Sequence, residues 1–155
     1  MKLGEWAAVA EIIGGAAIIA SLIFVGAEVR QNTAAIRSAT VQAIADQSNA
    51  SNLAFATDEK LADLLFLTLK DSEAHKDPSK ITGGDKIRLE MILRSTLRRV
   101  ENIYLHVEGG VLEPEALDRV GYGFYRTDFA KDYWRAARAG FDQDFAKFMD
   151  EKVNE

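Results

Sequence analysis

Residues Ile12 to Ala27, "IIGGAAIIASLIFVGA", form a run of sixteen without a charge that passes, with no proline or loop signal, into the polar Arg30-Gln31-Asn32-Thr33. No other stretch constrains the chain as strongly, because such a run needs to be buried in lipid or in a protein core, or else removed as an export signal. Sixteen residues fall short of the ~20 that cross a ~30 Å hydrocarbon layer. Extended back to Trp6 the stretch covers twenty-two residues, which at ~1.5 Å per residue is about 33 Å of helix.

The extension takes in Glu11, close to the Trp6 end, where a charge costs less than the ~2.5–3.5 kcal/mol expected at mid-bilayer. Trp6 suits the interfacial belt. Arg30 and Arg37 follow the run while only Lys2 precedes it, so the charge bias places the C-terminal side in the cytoplasm and the N-terminus outside. A cleaved signal would use Val25-Gly26-Ala27 as its small-residue site, but Glu5 and Glu11 stand where a signal is basic. A soluble helix buried on all sides is the remaining alternative. The sequence therefore predicts a transmembrane helix over about 6–27, single-pass.

Within the span, Ala10, Gly14, Ala17 and Ser21 recur at spacings of four, three and four. Small side chains along one seam let helix backbones approach closely in lipid, where no hydrophobic drive brings them together. Self-association into a homo-oligomer is the expectation, although Gly and Ala are common in spans generally. Beyond Ala27 no helix breaker occurs before Thr57, so one helix is predicted to continue to about Ala56. Val29, Thr33, Ile36, Thr40, Ala43 and Gln47 follow a near-heptad spacing, too polar for a strong coiled coil. At the membrane exit Arg30 and Arg37 can meet lipid phosphates, and Gln31 and Asn32 can hydrogen-bond to headgroups or neighbouring helices.

The rest reads as helices separated by breakers. Thr57 with Asp58 and Glu59 predicts a start, followed by the apolar face Leu61, Leu64, Leu65 and Leu69 and a stop near Ser72. From about Gly84 to Val107 the residues Leu89, Leu93, Thr96, Val100, Ile103 and Val107 share one face, and Gly109-Gly110 ends the helix. Pro114 suits a first turn, a bend falls near Tyr122, Asp128 opens a helix closed by Gly140, and Asp142 caps the last. With no sustained two-residue alternation, no strand is predicted. The expectation is an all-α chain: one long N-terminal transmembrane helix with its extension over 1–56, and a cytoplasmic helical bundle over 57–155.

The stretch "IIASLIFVGAEVRQNTAAIRSAT" resembles the opening of a family of uncharacterised bacterial small single-span membrane proteins, in which an apolar helix leads into a (Q/E)-x-R-Q-N-T segment. The matching residues are Glu28, Arg30, Gln31, Asn32 and Thr33, with Ala35 and Arg37 beyond them. The ending "YWRAARAGFDQDFAKFMDEKV" is similar to that family's ending. The resemblance implies a single N-terminal span and a helical soluble domain, and it implies no known activity; the expected location is a bacterial inner membrane.

Chemistry is sparsely encoded. A chain without cysteine has no disulfide, thiolate metal site or thiol nucleophile, and its net charge of -5 disfavours general nucleic-acid binding. His75 and His106 have no ligand partners at metal spacing, so surface histidines are expected. Arg88, Arg94, Arg98 and Arg99 stand among Glu90 and Glu101 and are read as solvated and partly paired. Gly83-Gly84 lacks phosphate-loop spacing, and no nucleophile motif occurs. Tyr122, Phe124, Tyr125, Phe129, Tyr133, Trp134 and Phe141 are read as core before ligand pocket.

No catalytic residue, metal or cofactor is expected. The expected partners are the lipid bilayer, a second copy of the chain and another membrane or cytoplasmic protein. Two functions fit: a membrane-anchored, self-associating interaction or scaffolding module, or a homo-oligomeric cation-conducting pore with Glu11 and Glu28 as acidic rings, about 26 Å apart along a helix.

Overall fold

The computed structural model describes residues 3–68 and 78–154. Among the described residues there is no strand, and the chain is all-α. It divides into two compact units, Met1–Val41 and Gln42–Glu155.

Helix α1 (Leu3–Thr57) supplies the whole described part of the first unit and the opening of the second. In the first unit its described side chains from Ala10 to Ala39 are all exposed: Ile12 is 72% exposed, Leu22 66%, Phe24 68% and Val29 59%. Hydroxyls within this stretch are satisfied by the helix itself. Ser21 Oγ donates to the Ala17 carbonyl at 2.9 Å and Thr33 Oγ1 to Val29 at 2.9 Å, the back-bonding that lets such residues leave water.

The second unit begins inside α1 at Gln42, earlier than the predicted division after residue 56. Its half-buried positions are Ile44, Ser48, Ser51 and Phe55, one residue along from the predicted Ala43 and Gln47, which are exposed. The larger apolar side chains Ile44 and Phe55 account for the offset, since one residue of shift turns the shielded line by about 100°.

Helix α2 (Glu59–Phe66) starts at Asp58, whose carboxylate accepts the Leu61 N–H at 3.1 Å. Thr57, the predicted start, ends α1 and donates its hydroxyl to Leu53. Leu64 is buried, Leu61 is half-buried, and Leu69 lies outside the described residues together with the predicted stop at Ser72. After a 3-10 turn at Pro78–Lys80 comes helix α3 (Gly83–Glu108), the centre of the unit. Its face Leu89, Leu93, Leu97 and Val100 is at most 1% exposed. Thr96 and Val107, predicted for that face, are half-buried, while Leu97 and Glu101 are buried. The end is built as the glycine pair implies: Gly109 N–H reaches Leu105 O at 2.9 Å, and Gly110 takes φ +69°, the left-handed conformation that closes helices.

Short α4 (Glu115–Asp118) follows Pro114, and a 3-10 segment at Tyr122–Arg126 makes the predicted bend. Helix α5 (Asp128–Ala137) is capped by the Thr127 hydroxyl, not by Asp128. A last 3-10 turn at Arg138–Gly140 leads to α6 (Gln143–Asn154), where Asp142 Oδ1 accepts the N–H groups of Asp144 at 2.9 Å and Phe145 at 3.0 Å. The predicted aromatic set joins the core, either buried or packed against it. Trp134 meets Phe141 at 5.2 Å and Phe145 edge-on at 6.1 Å, geometries favoured by the ring quadrupoles.

Candidate functional site

Two surfaces invite a functional reading, one in each unit. The first is the bare apolar length of α1. Ala10, Gly14, Ala17 and Ser21 are all exposed, and at about 100° per residue they fall within about 60° of one another. A Cβ added at Gly14 or Gly15 would meet nothing within 4 Å. A mid-helix glycine costs about 0.5–1 kcal/mol relative to alanine, and among the described residues no close neighbour requires these two.

Arg30, Gln31, Asn32 and Arg37 are exposed on the same helix. Arg30 and Arg37, seven residues apart, share a face within about 20° that lies opposite the small-residue seam. Asn32 lies on the seam side and Gln31 to its flank. Glu11 and Glu28 are also exposed. Seventeen residues of separation turn them about 100° apart, with Glu28 on the seam side.

The second surface is a cleft of about 550 Å³ in the second unit, lined from α1 by Gln47, Ala50 and Ser51 and from α3 by Ser95, Arg98, Arg99 and Asn102, among others. Glu101, 7% exposed, anchors its floor. One carboxylate oxygen accepts Arg98 Nη1 at 2.6 Å, and the other accepts the Asp142 N–H at 2.7 Å, tying α3 to the start of α6. Arg98 also donates Nη2 to the Gly140 carbonyl at 2.8 Å and lies over the Phe141 ring at 4.3 Å.

Arg99 is different. Its Nη1 donates to Ser48 Oγ at 2.8 Å, and its buried Nε has no hydrogen-bond partner. Beneath it, burial pushes the Tyr125 phenol above its ordinary value, while the Thr96 hydroxyl and the Arg99 guanidinium pull it the other way. Of the four arginines read as solvated, Arg88 pairs with Asp85 at 3.0 Å and Arg94 is exposed, but Arg99 is half-buried.

No family model, curated protein or solved structure matches this chain. The chemistry is therefore read from its own groups. His75 lies outside the described residues, and His106 is half-buried in the last turn of α3. Among the described residues no cluster of three or more His, Asp or Glu is placed to hold a metal ion. The cleft is not read from the sequence, which names Glu101 only as an acid among the arginines and does not place it in the interior. The signal was present: Glu101 falls four residues after Leu97 and eight after Leu93, an interior helical position where a carboxylate requires a partner.

Proposed function

We propose that the chain is a single-span membrane protein, with α1 residues of about 6–27 in the lipid, that self-associates along Ala10, Gly14, Ala17 and Ser21 and carries a helical interaction module. The observation supporting the reading is the exposure of the run itself. Ile12, Ile13, Ile18, Ile19, Leu22, Ile23 and Phe24 are each 61–72% exposed, and every such side chain returns about 1.5–3 kcal/mol when it leaves water. A core helix would be covered by its own chain. This one is long and apolar enough to cross a membrane, and none of its apolar window is buried.

The empty space around Gly14 and Gly15 supports a second helix at the seam. In that arrangement Arg30 and Arg37 face away from the contact toward phosphate headgroups, which suits an exit anchor on the cytoplasmic side of a bacterial inner membrane. The cation-pore reading has less support, because Glu11 and Glu28, about 100° apart on one straight helix, do not face a single axis together.

Extraction of membranes with alkaline carbonate tests the anchor. The full chain is expected to stay in the membrane pellet and a chain lacking residues 1–27 to leave it; a full chain released by the wash would refute the proposal. Association is tested by the mass of the detergent-solubilised chain. Gly14→Leu with Ala17→Leu is expected to shift the oligomer to monomer, and an unchanged mass would remove the seam.

A further inference from the structure

We propose that the cleft between the C-terminal part of α1 and α3 binds a small organic carboxylate, with Arg99 as the residue that receives its charge. The site lies wholly within the second unit and does not rest on the membrane reading. Helix contacts normally close to the density of a molecular crystal. Here the small side chains of Ala50, Ser51, Ser95 and Thr96 lie in the lining, and about 550 Å³ is left open, within the range of small-molecule sites.

The charges in the cleft decide the class of ligand. Arg98 is ion-paired with Glu101 and also gives Nη2 to the Gly140 carbonyl while lying over the Phe141 ring, so that pair presents no net charge. Among the described residues Arg99 has no carboxylate within ion-pair distance, and its partners are neutral: the Ser48 hydroxyl at 2.8 Å and the Tyr125 phenol. A guanidinium carries five N–H donors in a planar fork matched to a carboxylate. A half-buried cation without a counter-ion is costly, and a bound anion removes that cost.

One uncompensated positive charge matches a monoanion. A carboxylate carries that single charge, whereas a phosphate monoester carries about 1.5–2 near neutral pH, which favours a carboxylate. Ser95 and Asn102, both exposed at the rim, supply hydroxyl and amide groups for the remaining acceptor positions. Leu105, 47% exposed, offers an apolar wall for a short carbon chain.

The test is an NMR titration of the Arg99 side-chain N–H signal in the full-length chain in neutral detergent, assigned by its disappearance in Arg99→Lys. Propionate and butyrate are expected to shift it saturably, with inorganic phosphate at equal ionic strength binding more weakly. The shift should persist in Arg94→Gln. Propionate binding followed by calorimetry should vanish in Arg99→Gln, and in Asn102→Leu, an exposed position that leaves the fold intact, it should weaken about fivefold, the loss of one hydrogen bond. Absence of saturation with any carboxylate, equal binding by Arg99→Gln or undiminished binding by Asn102→Leu would overturn the proposal. So would equal saturation by phosphate or by phosphatidylglycerol added to the micelles, which would assign the cleft to phosphate chemistry.

Discussion

At the scale of single residues, two carboxylates hold the second unit together. Removing Glu101 leaves Arg98 and the Asp142 N–H without their acceptor, and hydrogen bonds to charged groups are worth about 1.5–3 kcal/mol. Glu101→Ala is expected to lower unfolding free energy by that amount in a denaturant titration followed by Trp134 fluorescence in a Trp6→Phe background. Asp150 accepts Trp134 Nε1 at 2.8 Å and Arg138 Nε at 3.2 Å. Burial acts to raise its pKa, but the bonds from Arg138 and Trp134 and the charge of Arg138 outweigh burial and hold the carboxyl below its ordinary 3.8. On acidification the unfolded chain takes up this proton first. The stabilisation is therefore complete above the unfolded value and lost as pH falls through the lower folded one. Asp150→Asn should flatten the acid limb of stability as pH falls through and below the ordinary 3.8; an unchanged limb would show that other carboxylates set it.

At the scale of elements, helix ends show where sequence reasoning succeeds and where it stops. The chain contains two Thr-Asp pairs at helix starts, and they resolve oppositely. Asp58 caps α2 while Thr57 still belongs to α1, whereas Thr127 caps α5 and Asp128 is inside it. Either residue type is a good cap; the choice depends on which one takes extended backbone, and that is set by the incoming chain. The long α-helix before the first pair runs on through Thr57, whereas the short 3-10 segment before the second ends at Arg126 and leaves Thr127 extended. The stop at Gly109-Gly110 was fully legible because only a residue tolerant of positive φ closes a helix that way. Gly110→Ala is expected to cost about 1–2 kcal/mol. Gly123→Ala, at a site with ordinary φ and open space, should be neutral or stabilise by about 0.4–1 kcal/mol. Equal effects in thermal unfolding would contradict the backbone argument.

At the scale of the whole molecule, the fold class and the order of helices follow from apolar spacing, since Leu89, Leu93 and Val100 could face only a core. The all-α composition and the long N-terminal helix were both legible. The cleft was not, because it arises where Ser48 and Ser51 of α1 meet Arg99 and Ser95 of α3, residues some fifty positions apart in sequence. Periodicity ranks such polar positions as solvent-facing and carries no information on what lies opposite them. The partial burial of Ile44 and Phe55 follows the same logic and moves the boundary of the second unit into α1.

The central claim is that α1 crosses a bilayer once, with its two ends on opposite sides. A chain without native cysteine allows this to be measured with single-cysteine variants, Lys2→Cys and Asn154→Cys, and a membrane-impermeant maleimide applied to intact cells. The account predicts that Lys2→Cys is labelled at once and Asn154→Cys only after the membrane is opened. Labelling of both, or of neither, before permeabilisation would contradict it.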